Sequence, residues 1–81
     1  METHQPLLSG ITVIELASVL AGPSVGMYLA ELGARVIKVE NFVHGGDVTR
    51  SWKSSSESKD SDISAYFSSV NWGKESIGLN F

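Results

Sequence analysis

The segment Leu20-Ala21-Gly22-Pro23 has the residue types of a ligand-binding turn, because it separates a strand-like apolar run from a helix-like one. In open α/β sheets, ligands bind outside the carboxyl ends of the strands, and the N-termini of helices attract anions. Small side chains at such a place let a ligand approach the backbone. The same residues also suit a plain strand-to-helix turn, and the local sequence alone favours that simpler interpretation.

Glu40 ends a second apolar run, about where a dinucleotide-binding domain has its ribose-binding acid. The glycine fingerprint G-x-G-x-x-G is absent, because Pro23 and Ser24 follow Gly22 and the next glycine is Gly26. A phosphate-binding Walker A motif is absent as well. We therefore expect no bound NAD and interpret Glu40 as a solvated or paired carboxylate.

Asp47 and Arg50 lie in a loop that also contains two glycines. A charged hydrogen bond between them could fix the loop or orient a ligand phosphate, but an exposed ion pair of small energetic value is the simpler interpretation. His44 has no obvious partner in this loop and is expected to be solvated. No nucleophile, base and orienting group come together, so we predict neither a catalytic residue nor a metal site in this segment.

Hydrophobic periodicity predicts a strand, a helix and a second strand in the first half of the chain. Residues 11–16 and 35–40 are rich in β-branched residues and have strand length. Pro23 suits the first position of a helix. One apolar helical face would consist of Val25, Tyr28, Leu29 and Leu32. A right-handed crossover through this helix makes the two strands parallel, with the first strand covered on both faces.

The second half of the chain is less periodic. Residues 51–62 are rich in serine and charge and are expected to form a mobile surface loop. Residues 64–71 predict a short helix, and residues 76–81 predict a third strand. The fold class is therefore α/β, a βαβ unit plus a third strand. Two short helices cannot cover both faces of a parallel sheet, so we expect residues 1–81 to be the start of a larger domain, apparently truncated.

Composition argues against several classes of protein. The chain has 81 residues, no cysteine and a net charge of −3. A disulfide scaffold and a zinc module are not expected, and an acidic chain offers no basic surface for nucleic acid. No apolar run reaches the roughly 18 residues that a membrane span needs, and the amino terminus does not resemble a signal peptide. We expect a cytoplasmic protein that binds neither nucleic acid nor membrane.

Six stretches of the sequence occur together in an order that is specific as a whole. They are residues 6–16, Val19-Leu20-Ala21-Gly22-Pro23, residues 29–40, Gly46-Asp47-Val48-Thr49-Arg50, residues 65–71 and Lys74-Glu75-Ser76-Ile77-Gly78-Leu79. In this order and spacing, the chain resembles the amino-terminal segment of class III CoA-transferases, the CaiB/BaiF family. The resemblance covers nearly all of residues 6–81.

The resemblance implies a Rossmann-like domain in a longer chain that forms an interlocked homodimer. Family members move CoA from an acyl-CoA donor to a carboxylic acid acceptor, so coenzyme A is a substrate and no cofactor is bound permanently. The nucleophile of the family is an aspartate beyond residue 81, and no aspartate of this segment replaces it. The parent protein is accordingly expected to be a CoA-transferase, and this segment alone to be inactive.

The family's CoA contacts can be carried over by position. Leu20 and Ala21 match the turn beside the thiol arm of CoA, and Asn41 stands where the family commonly has an arginine near the adenine and phosphate. The stretch that runs along the nucleotide matches Leu79, Asn80 and Phe81. These six residues form the predicted CoA-binding site.

Two other functions stay open at this point. One is an acyl-CoA racemase of the same family, which would exchange an α-proton by acid–base catalysis. The other is a catalytically inert nucleotide-binding or assembly fragment. The turn at residues 20–23 resembles the transferases more closely than the racemases.

Overall fold

The computed structural model describes residues 5–81 as a three-stranded parallel sheet, an α-helix that packs on it and a second α-helix that packs against the first. In chain order the elements are β1 (Thr12–Glu15), α1 (Ala21–Glu31), β2 (Arg35–Asn41), α2 (Ala65–Asn71) and β3 (Glu75–Leu79). Two short 3-10 helices, Phe42–His44 and Val48–Ser51, follow β2. The predicted α/β class, βαβ unit and third strand are confirmed.

β2 is the central strand, and both of its neighbours run parallel to it. Its pairing with β1 ends at Lys38 opposite Glu15, and its pairing with β3 ends at Asn41 opposite Leu79. Because the three strands point the same way, their carboxyl ends meet at one side of the sheet. This carboxyl edge receives the β1–α1 connection and the segment that follows β2.

α1 begins two residues earlier than the sequence predicts. Leu20 is its N-cap and Ala21 its first residue, so Pro23 is the third residue of the helix and not the first. The earlier start is compatible with proline, because N–H groups in the first turn have no partner within the helix and the missing N–H costs nothing there. Gly33 follows the helix with a φ of 104°, a conformation that favours glycine.

The face of α1 that packs on the sheet is lined by small residues. Pro23 and Gly26 are the buried residues of the helix, whereas Val25 and Tyr28 are 59% and 61% exposed. The apolar face predicted from the periodicity is therefore not the packed face. The reason is a close approach at Gly26, where an added Cβ would lie 1.8 Å from Oε1 of Glu15. A larger side chain at this position would force the helix away from the sheet.

The two faces of the sheet also differ in chemistry. Val36, Lys38 and Glu40 alternate along β2 and are buried on the side of the helices. The opposite face, called the open face below, carries five apolar residues in register: Ile14, Ile37, Val39, Ile77 and Leu79. Within residues 5–81, no helix packs on the open face, and Ile14 is exposed. The expectation that the first strand is covered on both sides is thus wrong for this part of the chain.

The second helix forms largely as its sequence predicts. The hydroxyl of Ser64, its N-cap, accepts a hydrogen bond from the N–H of Phe67 at 2.9 Å. Phe67 and Val70 are buried, whereas Ile63 is exposed. The loop before α2 contains turns and bends after the 3-10 helix Val48–Ser51. The mobility expected for residues 51–62 stays a prediction.

The segment after β2 is anchored to the sheet by Glu40 and Arg50. Nε and an Nη of Arg50 lie 2.8 and 2.7 Å from the two carboxylate oxygens of Glu40. The backbone N–H of Asp47 donates to the same carboxylate at 2.8 Å, and the hydroxyl of Ser76 donates to it from β3. The guanidinium of Arg50 also lies 4.0 Å from the ring centroid of Phe67. Two planar groups held by parallel hydrogen bonds fix the direction of the chain after the strand.

This geometry decides between the earlier interpretations of the charged residues. Glu40 is a paired carboxylate, as one of the two alternatives predicted. The predicted pairing of Asp47 with Arg50 is wrong, because Arg50 forms its ion pair with Glu40 and Asp47 forms one with Lys38. Burial tends to raise the pKa of Glu40, but hydrogen bonds from Arg50, Asp47 and Ser76 outweigh it and lower this pKa to about 2.

Loss of the Glu40–Arg50 pair should change how stability depends on pH. A carboxylate whose pKa is lowered on folding stabilises the fold at any pH above its pKa in the unfolded chain, which is 4.5 for Glu40. This stabilisation is lost as the pH falls from 4.5 toward the folded-state pKa of about 2. In a folded protein that contains this segment, Arg50→Gln should reduce the slope of unfolding free energy with pH in that window. Because one carboxyl group is involved, the slope should decrease by on the order of 1 kcal/mol per pH unit.

Urea unfolding at several pH values between 2 and 5 measures this slope. Arg35→Gln is the matched control, because Arg35 pairs with Glu75 in an ion pair that is exposed on both sides. An Arg50→Gln variant with the wild-type slope would show that the pair does not set the pKa of Glu40.

The open face and the two unpaired strand edges should make the 81-residue chain associate or unfold when it is produced alone. Ile77→Lys and Leu79→Lys place a charge on the open face and should raise the fraction of monomer. Sedimentation velocity with circular dichroism measures both effects. A cooperative thermal transition from a dilute wild-type monomer would contradict this prediction.

Candidate functional site

A cavity of about 300 Å³ opens at the carboxyl edge of the sheet. It is lined by residues 16–18 of the β1–α1 connection, residues 38–41 of β2, residues 46–48 of the following loop, and Phe81. We call it the edge cavity. Its position is the one where open α/β sheets bind their ligands.

Leu20 and Ala21 lie at the start of α1, shortly after residues 16–18, but neither of them lines the edge cavity itself. No side chain caps this end of the helix, and the carbonyl of Leu20 accepts hydrogen bonds from the N–H and the hydroxyl of Ser24 at 2.8 and 2.7 Å. Both residues are exposed. Val19, directly before them, has a φ of 73°, which is strained for a β-branched residue.

Asn41, Leu79 and Phe81 come together on the other side of the same edge. Asn41 pairs with Leu79 in the sheet, and its side-chain amide donates to the carbonyl of Phe81 at 2.6 Å. The amide oxygen of Asn41 accepts from the N–H of Val43 at 3.0 Å and so caps the first 3-10 helix. Asn80 lies between these residues in the chain and is exposed. The predicted site residues thus fall into two groups at one edge, Leu20 with Ala21 and Asn41 with residues 79–81.

Beneath the edge lies a buried group of charged side chains that sequence reasoning missed. It consists of Glu15, Lys38, Asp47 and Lys74, and we call it the lysine cluster. Nζ of Lys38 lies 3.1 Å from Glu15 Oε2 and 3.0 Å from Asp47 Oδ2, and it donates to the carbonyl of Ala17 at 2.8 Å. This ammonium therefore has two hydrogen-bond acceptors, Glu15 and the carbonyl of Ala17, and the carboxylate of Asp47 within ion-pair distance.

Lys74 is held in a similar way. Its Nζ lies 2.7 Å from Glu15 Oε1 and 2.8 Å from both the carbonyl of Pro23 and Oδ1 of Asn71. The side chains of Lys74 and Lys38 are only 2% and 1% exposed. Glu15 therefore bridges two buried lysines, one through each of its oxygens.

The electrostatics of the cluster are those of a balanced, buried set of charges. Burial lowers the pKa of Lys74, and the nearby Glu15 offsets this only in part. Burial raises the pKa of Asp47, but hydrogen bonds from Thr49 and the Lys38 ammonium outweigh it, so the pKa of this carboxyl is lowered. With two cations and two anions, the cluster can stay charged without a net buried charge.

The signal that could have revealed the cluster is the register of the strands. Glu15 and Lys38 are direct partners in the parallel pairing, on the same face as buried Val36. Charges that alternate with apolar residues usually mark the solvent side of a strand. That pattern is reversed here, because the helices pack over the charged side.

A larger hollow of about 530 Å³ lies at the loop of residues 50–62 and is lined mainly by serines and by Arg50, Lys53 and Lys59. It is a weaker candidate for ligand binding. Arg50 is already paired with Glu40, and Nζ of Lys53 donates to the carbonyls of Ser58 and Ser61. The hollow is also formed by a loop, not by the ends of the strands.

The chemistry available in residues 5–81 is that of binding. No group of three or more histidine, cysteine, aspartate or glutamate side chains in this part of the chain could hold a metal ion. The edge cavity offers small side chains, an aromatic ring and three charged side chains, Lys38, Glu40 and Asp47, that are already paired within the chain. Within the described residues, no helix is long and apolar enough to cross a membrane.

Comparison with known proteins gives consistent matches. The succinate–glutarate CoA-transferase of Agrobacterium fabrum is 54% identical over 80 residues, which are 95% of this chain and 20% of that protein. The acetyl-CoA:oxalate CoA-transferase of Acetobacter aceti is 49% identical over 71 residues, which are 88% of this chain and 17% of that protein. The chain therefore spans about a fifth of the length of these relatives.

The structural comparison agrees with the sequence matches. The crystal structure of a CAIB/BAIF family protein from Brucella suis has a TM-score of 0.80 and 43% identity, over 95% of this chain and 20% of that one. A family model described as CoA-transferase family III matches residues 8–81. Because this match covers nearly the whole sequence, the chain belongs to CoA-transferase family III.

Proposed function

We propose that residues 1–81 form the CoA-binding edge of a CoA-transferase that moves CoA from an acyl-CoA donor to a carboxylic acid. The observation that carries the proposal is the edge cavity, which lies at the carboxyl ends of parallel strands and is lined by two of the predicted contact residues, Asn41 and Phe81. Membership of CoA-transferase family III and relatives named as CoA-transferases support the reaction class.

In this proposal CoA lies across the carboxyl edge. Its thiol arm passes the backbone of Leu20 and Ala21, where small side chains and an uncapped helix start leave room for a ligand. Its nucleotide end lies nearer Asn41 and residues 79–81, where Leu79 and Phe81 offer apolar surface. The six residues predicted from the sequence resemblance stay the proposed contacts.

The covalent chemistry is assigned outside this segment. The resemblance implies an aspartate nucleophile beyond residue 81, so the segment contributes binding and orientation of the thioester. An interlocked homodimer and a cytoplasmic location belong to the same proposal. No contact in residues 5–81 favours a racemase: Lys38, Glu40 and Asp47 line the edge cavity, but each is engaged in an ion pair within the chain.

The reaction itself can be tested in the full-length protein that contains this segment. With succinyl-CoA and glutarate, the substrate class suggested by a relative's name, we expect glutaryl-CoA and succinate to form in equal amounts. Residues 1–81 alone should give no turnover. Mass spectrometry of the CoA esters measures both. Proton exchange at the α-carbon of an acyl-CoA without CoA transfer would support the racemase, and an inert full-length protein would support a binding or assembly fragment.

The binding site can be tested separately through Ala21. Ala21→Trp should fill the space at the start of α1 and reduce CoA affinity at least tenfold in the full-length protein, which is about 1.4 kcal/mol. Tyr28→Trp is the matched control, because it adds the same side chain to an exposed position of the same helix. Isothermal titration calorimetry measures both affinities. Unchanged affinity in a folded Ala21→Trp variant would exclude this placement of the thiol arm.

A further inference from the structure

The turn that leads from β1 into α1 is held at both ends by buried lysines. Lys38 donates to the carbonyl of Ala17 and Lys74 to the carbonyl of Pro23, each at 2.8 Å. The residues between these two carbonyls include Leu20 and Ala21. Both lysines also form ion pairs with the single carboxylate of Glu15, at 3.1 and 2.7 Å.

The same turn contains a strained residue. Val19 has a φ of 73°, and a β-branched side chain in this left-handed region clashes with its own backbone. Such a conformation persists only where the surroundings hold it in place. The lysine–carbonyl hydrogen bonds lie two residues before Val19 and four residues after it. They are the contacts from the core that fix the two ends of the turn.

Net stabilisation does not account well for this arrangement. Removing two lysines and a carboxylate from water is costly, and apolar residues of similar volume often stabilise a core as well as a buried ion pair. The charges instead orient the groups around them, because each ammonium needs its hydrogen-bond acceptors at fixed positions. Ala17 and Pro23 provide two of these acceptors through their backbone.

We propose that Lys38, Glu15 and Lys74 form a clamp that holds the strained turn in the geometry that receives the thiol arm of CoA. They act as positioning residues: they orient the backbone of Leu20 and Ala21 from below. The proposal rests on the function proposed above, since the ligand is the same CoA. It adds that affinity for CoA depends on buried side chains from β1, from β2 and from the residue that precedes β3.

The test uses Lys38→Met and Lys74→Met in the full-length protein. Both changes keep an unbranched apolar chain and remove the donors to Ala17 and Pro23. The dissociation constant of CoA, measured by calorimetry, and the KM for acyl-CoA should rise at least tenfold. The KM for the carboxylic acid acceptor should stay within twofold. Amide hydrogen exchange at Ser24, whose N–H donates to the carbonyl of Leu20, should accelerate at least tenfold relative to exchange in β2.

Two control variants separate a positioning role from a general loss of stability. Val70→Ala removes buried apolar atoms in α2, and Arg35→Met removes an exposed cation on the other face of the sheet. Each should leave CoA affinity and amide exchange at Ser24 within twofold of wild type. If Val70→Ala lowers CoA affinity as much as the lysine variants at the same loss of thermal stability, the clamp is overturned.

The proposal can still be tested if one of the lysine variants does not fold. Should Lys38→Met fail to fold, Lys74→Met carries the test, because Lys74 has one carboxylate partner where Lys38 has two. Folded lysine variants in which the amide of Ser24 exchanges as in wild type would overturn the clamp, whether or not the protein binds CoA. Wild-type protein that binds no CoA, combined with faster exchange in the lysine variants, would reject the proposed function and retain the clamp.

Discussion

The Glu15 carboxylate is the contact on which the packing of this segment depends. Its two oxygens pair with Lys38 and Lys74, so one side chain on β1 connects the central strand with the residue that precedes β3. The carboxylate also sets the distance to α1, because Gly26 leaves just enough room for it. A buried carboxylate without both cations would be strongly unfavourable, so these elements must assemble together.

This constraint explains why the helix-covered face of the sheet carries charged residues, whereas the open face carries apolar ones. The helices pack over Lys38 and Glu40, whose charges are neutralised by Glu15, Asp47 and Arg50. The apolar residues that would ordinarily form a core, such as those at the open face, have no cover in residues 5–81. A sheet built this way gains specificity on its charged side from hydrogen-bond geometry. On its apolar side it presents a surface suited to burial by further protein.

The local sequence was sufficient to predict the helices and strands, but it did not predict which charged side chains pair with one another. The β-branched runs, the pattern of residues 76–81 and the crossover rule predicted the strands, and the pattern of residues 64–71 predicted the short helix. Pairing of Arg50 with Glu40, ten residues earlier, depends on how the chain folds back after β2. The lysine cluster depends on strand register and on the approach at Gly26. Neither is encoded in the spacing of neighbouring residues. Periodicity also predicted the wrong packed face for α1, because it does not detect the close approach of Glu15 to Gly26.

The pairing of the cationic side chains also limits which ligands this segment can bind. Lys38, Arg50 and Lys74 are each bound to carboxylates of the chain itself. Arg35 pairs with Glu75, and Lys53 donates to loop carbonyls. A carboxylic acid acceptor needs a cation or several N–H donors to bind, and the edge cavity within residues 5–81 offers no cation that is not already paired. Under the proposed function, the selection of the acid is therefore assigned to residues outside this segment, and the carboxyl edge contributes the binding of CoA.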